Sequence, residues 1–268
     1  MPVDRWATAL VDFLMDHAQG LFDLISAGLD RLTFGIEDAL LLPPAWLLIL
    51  LLTGLAWWRK NWRFALFTLA ALLLIVGMGL WIETVVTLAL VMAATLVSLA
   101  MGIPLGIWAA RSDRVERMVR PVLDLMQTMP AFVYLIPAAM FFGLGRVPGV
   151  VATIIFAMPP AVRLTNLGIR QVPTELVETG LAFGCTVRQL LFKVQLPTAR
   201  PSIMAGVNQT IMLALSMVVI ASMIGAGGLG DTVLRGIQRL DVGLGFEGGL
   251  GVVILAIILD RITQSFGK

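Results

Sequence analysis

Long apolar runs, separated by short charged segments, occupy most of the chain from residue 45 onward. They predict seven membrane spans, because a helix of about 20 apolar residues crosses a hydrocarbon core of about 30 Å. The predicted spans cover residues 45–58, 64–81, 84–110, 115–142, 147–164, 202–224 and 247–259. The fourth is predicted as one helix that rises through Pro130. The pattern therefore indicates an all-α membrane protein with about seven transmembrane helices.

Residues 1–42 follow a different pattern. Apolar side chains such as Phe13, Leu21 and Ile25 recur at helical spacings, and acidic residues interrupt them. This is typical of an amphipathic surface helix, either continuous or broken in two near Gly20. We expect an extracytoplasmic N-terminal segment that lies on the membrane or packs on neighbouring spans, and the pattern leaves both placements open.

The basic residues orient the predicted spans. Cytoplasmic loops of membrane proteins are enriched in lysine and arginine. With the N-terminus outside, fourteen of the nineteen basic residues fall inside. These are Arg59, Lys60, Arg63, Arg111, Arg114, Arg117, Arg120, Arg163, Arg170, Arg188, Lys193, Arg200, Arg261 and Lys268. We therefore predict an N-out, C-in topology.

The composition excludes several classes of site. The chain is 59% hydrophobic and 13% charged, and it has one cysteine, Cys185, and one histidine, His17. A disulfide framework or a Cys/His zinc site needs more of these residues. No G-x-x-x-x-G-K-[ST] phosphate loop occurs, and the G-x-G-x-x-G match that begins at Gly225 follows a span rather than a strand. We expect a backbone bend at Gly225, and no metal or cofactor in this chain.

Residues 171–200 are too apolar for a loop that only connects two spans and packs against nothing. A helix is predicted to begin at Pro173 and Thr174, and Gly184 stands where a glycine in the left-handed conformation would end it. The sequence from Thr186 to Gln189 has the spacing of a capping box, which starts a second helix. Pro197 is predicted to end that helix. The segment therefore indicates a cytosolic helix-turn-helix element.

This element resembles the signature of ABC importer permeases, E-A-A-x-x-x-G, nine residues, I-x-L-P. Glu178 and Gly184 match the first half, and Leu196 and Pro197 match the second. Three positions depart from the pattern: Thr179 and Gly180 replace the two alanines, and Val194 replaces the isoleucine. The resemblance implies that the element is the coupling helix, which docks on a cytosolic ATPase. The candidate coupling residues are Glu178, Thr179, Gly180, Gly184, Arg188, Val194, Leu196 and Pro197.

Two further runs resemble the glycine betaine/proline betaine branch of these permeases, which includes choline and carnitine permeases. They are IGAGGLGDTVLRGIQRLDVG, which begins at Ile224, and the terminal ILAIILDRITQSFGK. The resemblance implies a five-helix type I importer core over residues 83–268, preceded by two additional spans in residues 43–82. It also implies the permease of an importer for quaternary-amine compatible solutes in the bacterial inner membrane, rather than an enzyme.

The same resemblance implies the partners. They are a second permease copy, two ABC ATPase subunits that bind ATP and magnesium, an extracytoplasmic solute-binding protein and the lipid bilayer, with no nucleic acid.

One face of the sixth span is a candidate for the solute path. On a helical wheel it carries Met204, Asn208, Met212, Leu215, Val219 and Ser222. Lipid disfavours the polar positions among these, so the face lines the path or contacts a neighbouring span, and both interpretations stay open.

The alternative function is a secondary transporter or channel, and such proteins usually carry ionisable residues within their spans. In this chain the acidic residues Glu83, Asp124 and Asp260 fall at predicted span ends. This pattern favours an external energy source.

Overall fold

The computed structural model describes the backbone of residues 3–266 and the side chains of Phe13, Met15 and residues 17–266. Every regular element in this part of the chain is helical. The helices are α1 Val3–Leu41, α2 Ala45–Arg59, α3 Trp62–Gly77, α4 Trp81–Arg111, α5 Asp113–Thr128, α6 Ala131–Phe142, α7 Arg146–Ala157, α8 Pro159–Arg170, α9 Thr174–Ala182, α10 Val187–Leu190, α11 Leu196–Ser222, α12 Leu229–Arg239 and α13 Val242–Gln264. A π-helical turn, Leu191–Gln195, joins α10 to α11.

Four helical segments are long and apolar enough to cross a membrane: α4, α7 with α8, Val187–Ser222, and α13. Two bent pairs reach the same length and hydropathy: the His17–Leu41 part of α1 with α2, and α5 with α6. The apolar helix α3 is shorter, with 16 residues. The all-helical membrane fold predicted from the apolar runs is therefore confirmed.

The fourth predicted span is not one helix. The axes of α5 and α6 differ by 101° at Met129 and Pro130. A residue that precedes proline is disfavoured in the α-helical region, and Met129 is accordingly extended, with ψ 136°. The Tyr134 hydroxyl lies within hydrogen-bond distance of the carbonyl oxygens of Leu125 (3.1 Å) and Met126 (2.9 Å) in the last turn of α5. The predicted single helix over residues 115–142 was therefore wrong, and α6 alone is only about 18 Å long.

The N-terminal segment forms one helix, which continues through Gly20. It packs on α4, α6 and α7, and Leu29 is buried with Val86 and Val147 in one apolar cluster. Glu37 forms an ion pair with Arg146 at the start of α7, and the Arg146 guanidinium lies 4.7 Å from the centre of the Phe34 ring. Of the two placements left open, packing on neighbouring helices is therefore observed for the C-terminal half of α1.

Small residues allow α4, α8 and α11 to approach one another closely. A Cβ atom on Gly106 of α4 would lie 2.7 Å from the Val162 carbonyl oxygen and 2.7 Å from the Thr165 Cβ of α8. A Cβ atom on Gly206 of α11 would lie 3.2 Å from the Pro160 carbonyl oxygen. Such contacts are the usual basis of helix association in membranes, where apolar burial gives little driving force between helices.

A large apolar cluster joins this layer to the remaining helices. Leu72 and Ile75 of α3 are buried in it with Leu215 of α11 and Leu255 and Ile258 of α13. The predicted additional spans in residues 43–82 therefore pack against α13, and they share one apolar cluster with α11.

We predict that Gly106→Ala destabilises the purified protein. The added methyl group would meet a backbone carbonyl oxygen, which cannot move without a shift of α8, and such overpacking costs about 1–3 kcal/mol. The matched control is Gly54→Ala in α2, where no atom lies within 4 Å of the new Cβ. Alanine is the better helix former, so this control is expected to be neutral or stabilising. Thermal unfolding in detergent measures both variants, and equal midpoints would contradict the prediction.

Candidate ATPase-coupling site

The coupling element begins with α9, and its end is the local structure predicted from Gly184. Gly184 is left-handed, with φ 77°, and its N–H donates to the Leu181 carbonyl oxygen at 2.9 Å. The Cys185 N–H donates to the Gly180 carbonyl oxygen at 3.0 Å. These two bonds form a Schellman motif, which satisfies carbonyl groups at the helix end. The predicted glycine stop is confirmed.

The second helix begins with the predicted capping box. The Thr186 Oγ1 atom accepts from the Gln189 N–H at 3.3 Å, and the Gln189 Oε1 atom accepts from the Thr186 N–H at 2.9 Å. Both bonds satisfy amide groups that the helix start leaves free. The turn between α9 and α10 is therefore defined by local chemistry at three positions, Gly184, Thr186 and Gln189.

The predicted helix end at Pro197 was wrong. After α10 the chain widens into the π-helical turn and continues into α11, so that Val187–Ser222 is one segment of 36 residues. Pro197 lies in the first turn of α11, where a missing N–H is tolerated. The coupling element is therefore directly continuous with a candidate membrane span.

Buried contacts hold the element in place. Gly180 lies where α9 crosses the second helix, and a Cβ atom there would come within 2.8 Å of Leu190 Cδ1. Because that atom ends a flexible side chain, the alanine of the family signature would fit here with a small shift of Leu190. Leu191 is buried with Ile169 and Ala199, and Leu196 packs on the same cluster. Gly180, Val194 and Leu196 thus lie on the inner side of the element.

The other five predicted coupling residues lie on its outer side: Glu178, Thr179, Gly184, Arg188 and Pro197 are exposed. Within residues 17–266, neither Glu178 nor Arg188 has an oppositely charged group within 4 Å. Thr179 Oγ1 donates to the Glu175 carbonyl oxygen at 2.6 Å, which leaves it bound to its own helix. A carboxylate and a guanidinium therefore remain available to a partner.

Exposed apolar side chains surround these charges. Phe183 is 85% exposed, and Val187 and Phe192 are also exposed. Periodicity did not reveal these residues, because it does not distinguish a face buried within the chain from one that contacts a partner. Their position beside the turn could have indicated their exposure, since Phe183 precedes the glycine stop and Val187 follows the capping threonine.

An ionic cluster fixes α8, which leads into the coupling element. Arg170 Nη2 contacts Asp113 Oδ1 at 2.7 Å and Glu116 Oε2 at 3.0 Å, and it donates to the Ala109 carbonyl oxygen at 3.0 Å. These contacts tie the end of α8 to α4 and α5. A cavity of about 340 Å³ opens between α5 and α8, and its lining includes Arg120 and Asn166.

The predicted path face of α11 makes contacts within the chain. Asn208 Nδ2 donates to Asp260 Oδ1 at 2.8 Å, and Thr263 Oγ1 donates to Asn208 Oδ1 at 2.7 Å. Leu215 lies in the large apolar cluster, and Ser222 is buried and donates to the Val218 carbonyl oxygen. Asn208, Leu215 and Ser222 thus correspond to the alternative of contact with neighbouring elements. Met204, Met212 and Val219 are half-buried, and a path-lining role stays a prediction for them.

The glycine-rich run after α11 is a backbone bend, as predicted. Gly225, Gly227 and Gly228 have positive φ, and the Leu229 N–H donates to Thr87 Oγ1 at 2.8 Å. The bend thereby attaches the start of α12 to α4.

A bundle of apolar helices with a helix-turn-helix element continuous with one of them defines the membrane subunit of a transporter. The family model for binding-protein-dependent transport system inner membrane components matches residues 102–268. The chain belongs to this family, which confirms the prediction of an inner-membrane transport subunit.

Similar proteins cover the whole chain. This chain is 54% identical over 268 residues to the glycine betaine/proline betaine transport system permease protein ProW of Escherichia coli, and the match covers 100% of this chain and 76% of that protein. It is 53% identical to the glycine betaine/carnitine transport permease protein GbuB of Listeria monocytogenes, covering 100% and 96%. Its fold is similar to that of a solved structure of the MetNI methionine ABC transporter, with a TM-score of 0.61 and 22% identity over 68% of this chain and 93% of that chain.

Proposed function

We propose that this chain is the permease subunit of an ATP-driven importer for quaternary-amine compatible solutes such as glycine betaine, proline betaine, carnitine or choline. The proposal rests on the coupling element. It exposes the Glu178 carboxylate and the apolar side chains around it, and it continues directly into a membrane-length helix. The solute class is supported by the names of relatives that are 53–54% identical across the chain.

The coupling element transmits movements of the partner ATPase to the solute path. Phe183, Val187 and Phe192 provide an apolar surface for docking, and Glu178 provides a charge that pairs with a basic group of the ATPase. ATP and magnesium are bound by that ATPase. Since Leu191 fixes the element against the bundle, its displacement moves α11, and the close contact at Gly206 passes the movement to α8.

The solute path lies on the side of α11 that the chain leaves open. Ala205, Gln209, Ser216 and Met223 are exposed along this side. Gln209 lies in the interior of the span, and lipid disfavours an amide at that depth. The exposed amide of Gln209 supports a homodimer, in which a second permease copy faces this side, the path lies between the two chains, and two ATPase subunits bind below.

The N-terminus lies outside and the C-terminus lies in the cytosol. The split of fourteen to five basic residues supports this orientation, and so does the coupling element, which must face the ATPase. In this orientation residues 1–42 are extracytoplasmic.

Reporter fusions test the orientation. Fusions after Arg63 and Arg120 are expected to report the cytosol, because both follow inward clusters of basic residues. A fusion after Arg235 in α12 is expected to report the outside. The Arg63 fusion serves as the internal control for expression. A cytosolic signal at Arg235 would contradict the seven-span arrangement.

The solute class is tested in the assembled transporter. We expect glycine betaine, proline betaine, carnitine or choline to stimulate ATP hydrolysis by the permease, its ATPase and its binding protein in liposomes. Glycine and methionine are the matched controls, because both lack the quaternary ammonium group that aromatic and anionic sites recognise. Stimulation by methionine alone, or by none of these solutes, would refute the proposed function.

Two substitutions test the coupling element. Glu178→Ala is expected to abolish solute uptake while insertion into the membrane stays normal, since loss of a desolvated charge pair costs about 2–5 kcal/mol of docking. Gly184→Leu is expected to act similarly, because a left-handed residue with a Cβ costs about 1–2 kcal/mol. Uptake and solute-stimulated ATP hydrolysis in liposomes are the measurements.

Each variant has a matched control. Glu175→Ala removes an exposed carboxylate from the same helix, one turn earlier, and is expected to retain uptake. Gly184→Asn keeps a residue that tolerates the left-handed conformation and is expected to be milder than leucine. Wild-type uptake in both Glu178→Ala and Gly184→Leu would show that this segment does not couple the ATPase.

A further inference from the structure

The short turn between α2 and α3 carries a dense group of cations. Arg59 ends α2, and Lys60 and Arg63 follow within the turn and the start of α3. Within residues 17–266, none of these three side chains has a carboxylate within 4 Å. The sequence from residue 39 to residue 82 contains no acidic residue. The two helices therefore bring no counter-charge to this group.

Arg59 is fixed at the base of the group. The centre of its guanidinium lies 3.7 Å from the centre of the Phe266 ring and 5.4 Å from that of Trp58. Its Nε atom is buried and has no hydrogen-bond partner among residues 17–266. A buried donor without an acceptor destabilises a protein, so this N–H group is suited to an acceptor from a ligand.

Arg200 adds a fourth cation from α11. Its Nη2 atom donates to the Phe266 carbonyl oxygen at 3.0 Å, so Arg59 and Arg200 contact the same residue from two different helices. Because Arg200 lies near the start of α11, the group is at the end of the bundle that carries the coupling element. Arg59, Lys60, Arg63 and Arg200 are called the basic site below. The ends of α2, α3, α11 and α13 converge on it.

The start of α3 also favours a negative charge. The Asn61 Oδ1 atom caps this helix and accepts from the Phe64 N–H at 2.9 Å. The first turn of α3 has no acidic residue, so no side chain there offsets the positive end of the helix dipole. Cationic side chains and a helix start are both suited to the oxygen atoms of a phosphate group.

The surroundings of the basic site are those of a lipid headgroup rather than of a free anion. Trp57, Trp58 and Trp62 are 61–79% exposed beside it, and tryptophan is enriched at the level of the headgroups. Exposed leucines continue this surface along α2 and α3: Leu50, Leu51, Leu66 and Leu73. An acyl chain can pack along such a surface, whereas a free phosphate makes no use of it.

We infer that the basic site binds the phosphate group of an anionic phospholipid such as phosphatidylglycerol, with the acyl chains along α2 and α3. Basic pockets between transmembrane helices bind such headgroups. A zwitterionic headgroup would bring its own ammonium group to four cations, so the site selects a lipid with a net negative charge. The bound lipid would join α2 and α3 to the ends of α11 and α13. The inference does not depend on which solute is transported.

Native mass spectrometry of the chain in detergent tests this inference. Phosphatidylglycerol and phosphatidylcholine with identical acyl chains are titrated separately, and the wild type is expected to bind the first phosphatidylglycerol more tightly. Each basic residue near an anionic lipid surface contributes about fivefold to binding, so Arg59→Gln with Arg63→Gln is expected to weaken phosphatidylglycerol binding by about 25-fold. Binding of phosphatidylcholine is expected to stay unchanged.

The matched control is Arg114→Gln with Arg117→Gln. It removes two exposed cations from α5, where Asp113 and Glu116 lie beside them. The Arg170 contacts place this part of α5 beside the end of α8 that leads into the coupling element. The control is expected to bind phosphatidylglycerol like the wild type. An equal loss in the control would show a general effect of net charge and would overturn the inference.

A second variant keeps the test decisive if Arg59 is needed for folding. Lys60→Gln with Arg63→Gln changes only exposed side chains, and it is expected to show the same loss. Thermal unfolding in lipid-free detergent shows whether each variant is folded. Unchanged phosphatidylglycerol affinity in a folded variant of either kind would overturn the inference.

Two further measurements identify the source of the phosphate and its place. Inorganic phosphate and glycerol 3-phosphate are expected not to bind at concentrations of phosphatidylglycerol that saturate the site, and equally tight binding of either would overturn the choice of a lipid. Phosphatidylglycerol with a photoactivatable headgroup is expected to crosslink to residues 57–63 or to the neighbourhood of Arg200. Crosslinks confined to other segments would overturn the inference.

Discussion

The close approach of α4, α8 and α11 at glycine residues is the constraint on which the rest of the structure depends. Gly106 brings the backbone of α4 against Val162, and Gly206 brings α11 against Pro160. Lipid chains are as apolar as leucine side chains, so burial alone gives little reason for these helices to associate. Close van der Waals contact supplies that reason, and it requires that no side chain intervene.

The layer also explains how a small cytosolic element can act on the membrane region. The coupling element has little core of its own, but Leu191 is buried with Ile169 and Ala199 from the helices of the layer. The π-helical turn then leads into α11 without a break. Such turns are frequent at functional sites, because the wider ring changes the register of the helix that follows. The element and α11 are therefore mechanically one segment.

Features that depend on neighbouring residues were predictable from the sequence, whereas those that depend on distant contacts were not. Gly184 and Thr186 follow local rules of helix termination and capping, and the structure has both. Pro197 was misread because a helix that widens beforehand accommodates a proline that normally ends one. The path face of α11 was ambiguous, since Asn208 suits a solute path and a contact with Asp260 equally well, and only the position of α13 decides between them.

The contact between Asn208 and Asp260 ties the middle of α11 to α13. Nearer the coupling element, Arg200 Nη2 donates to the Phe266 carbonyl oxygen at 3.0 Å, and toward the other end Leu215 and Leu229 are buried in one cluster with Leu255 of α13. α11 and α13 are thus joined along their length, and a shift of α11 carries α13 with it. If ATPase docking and solute binding both act on this segment, as proposed, each biases its position. Linkage then requires their effects on binding to be reciprocal, because an effector that changes the affinity for a second ligand is itself affected by the same factor.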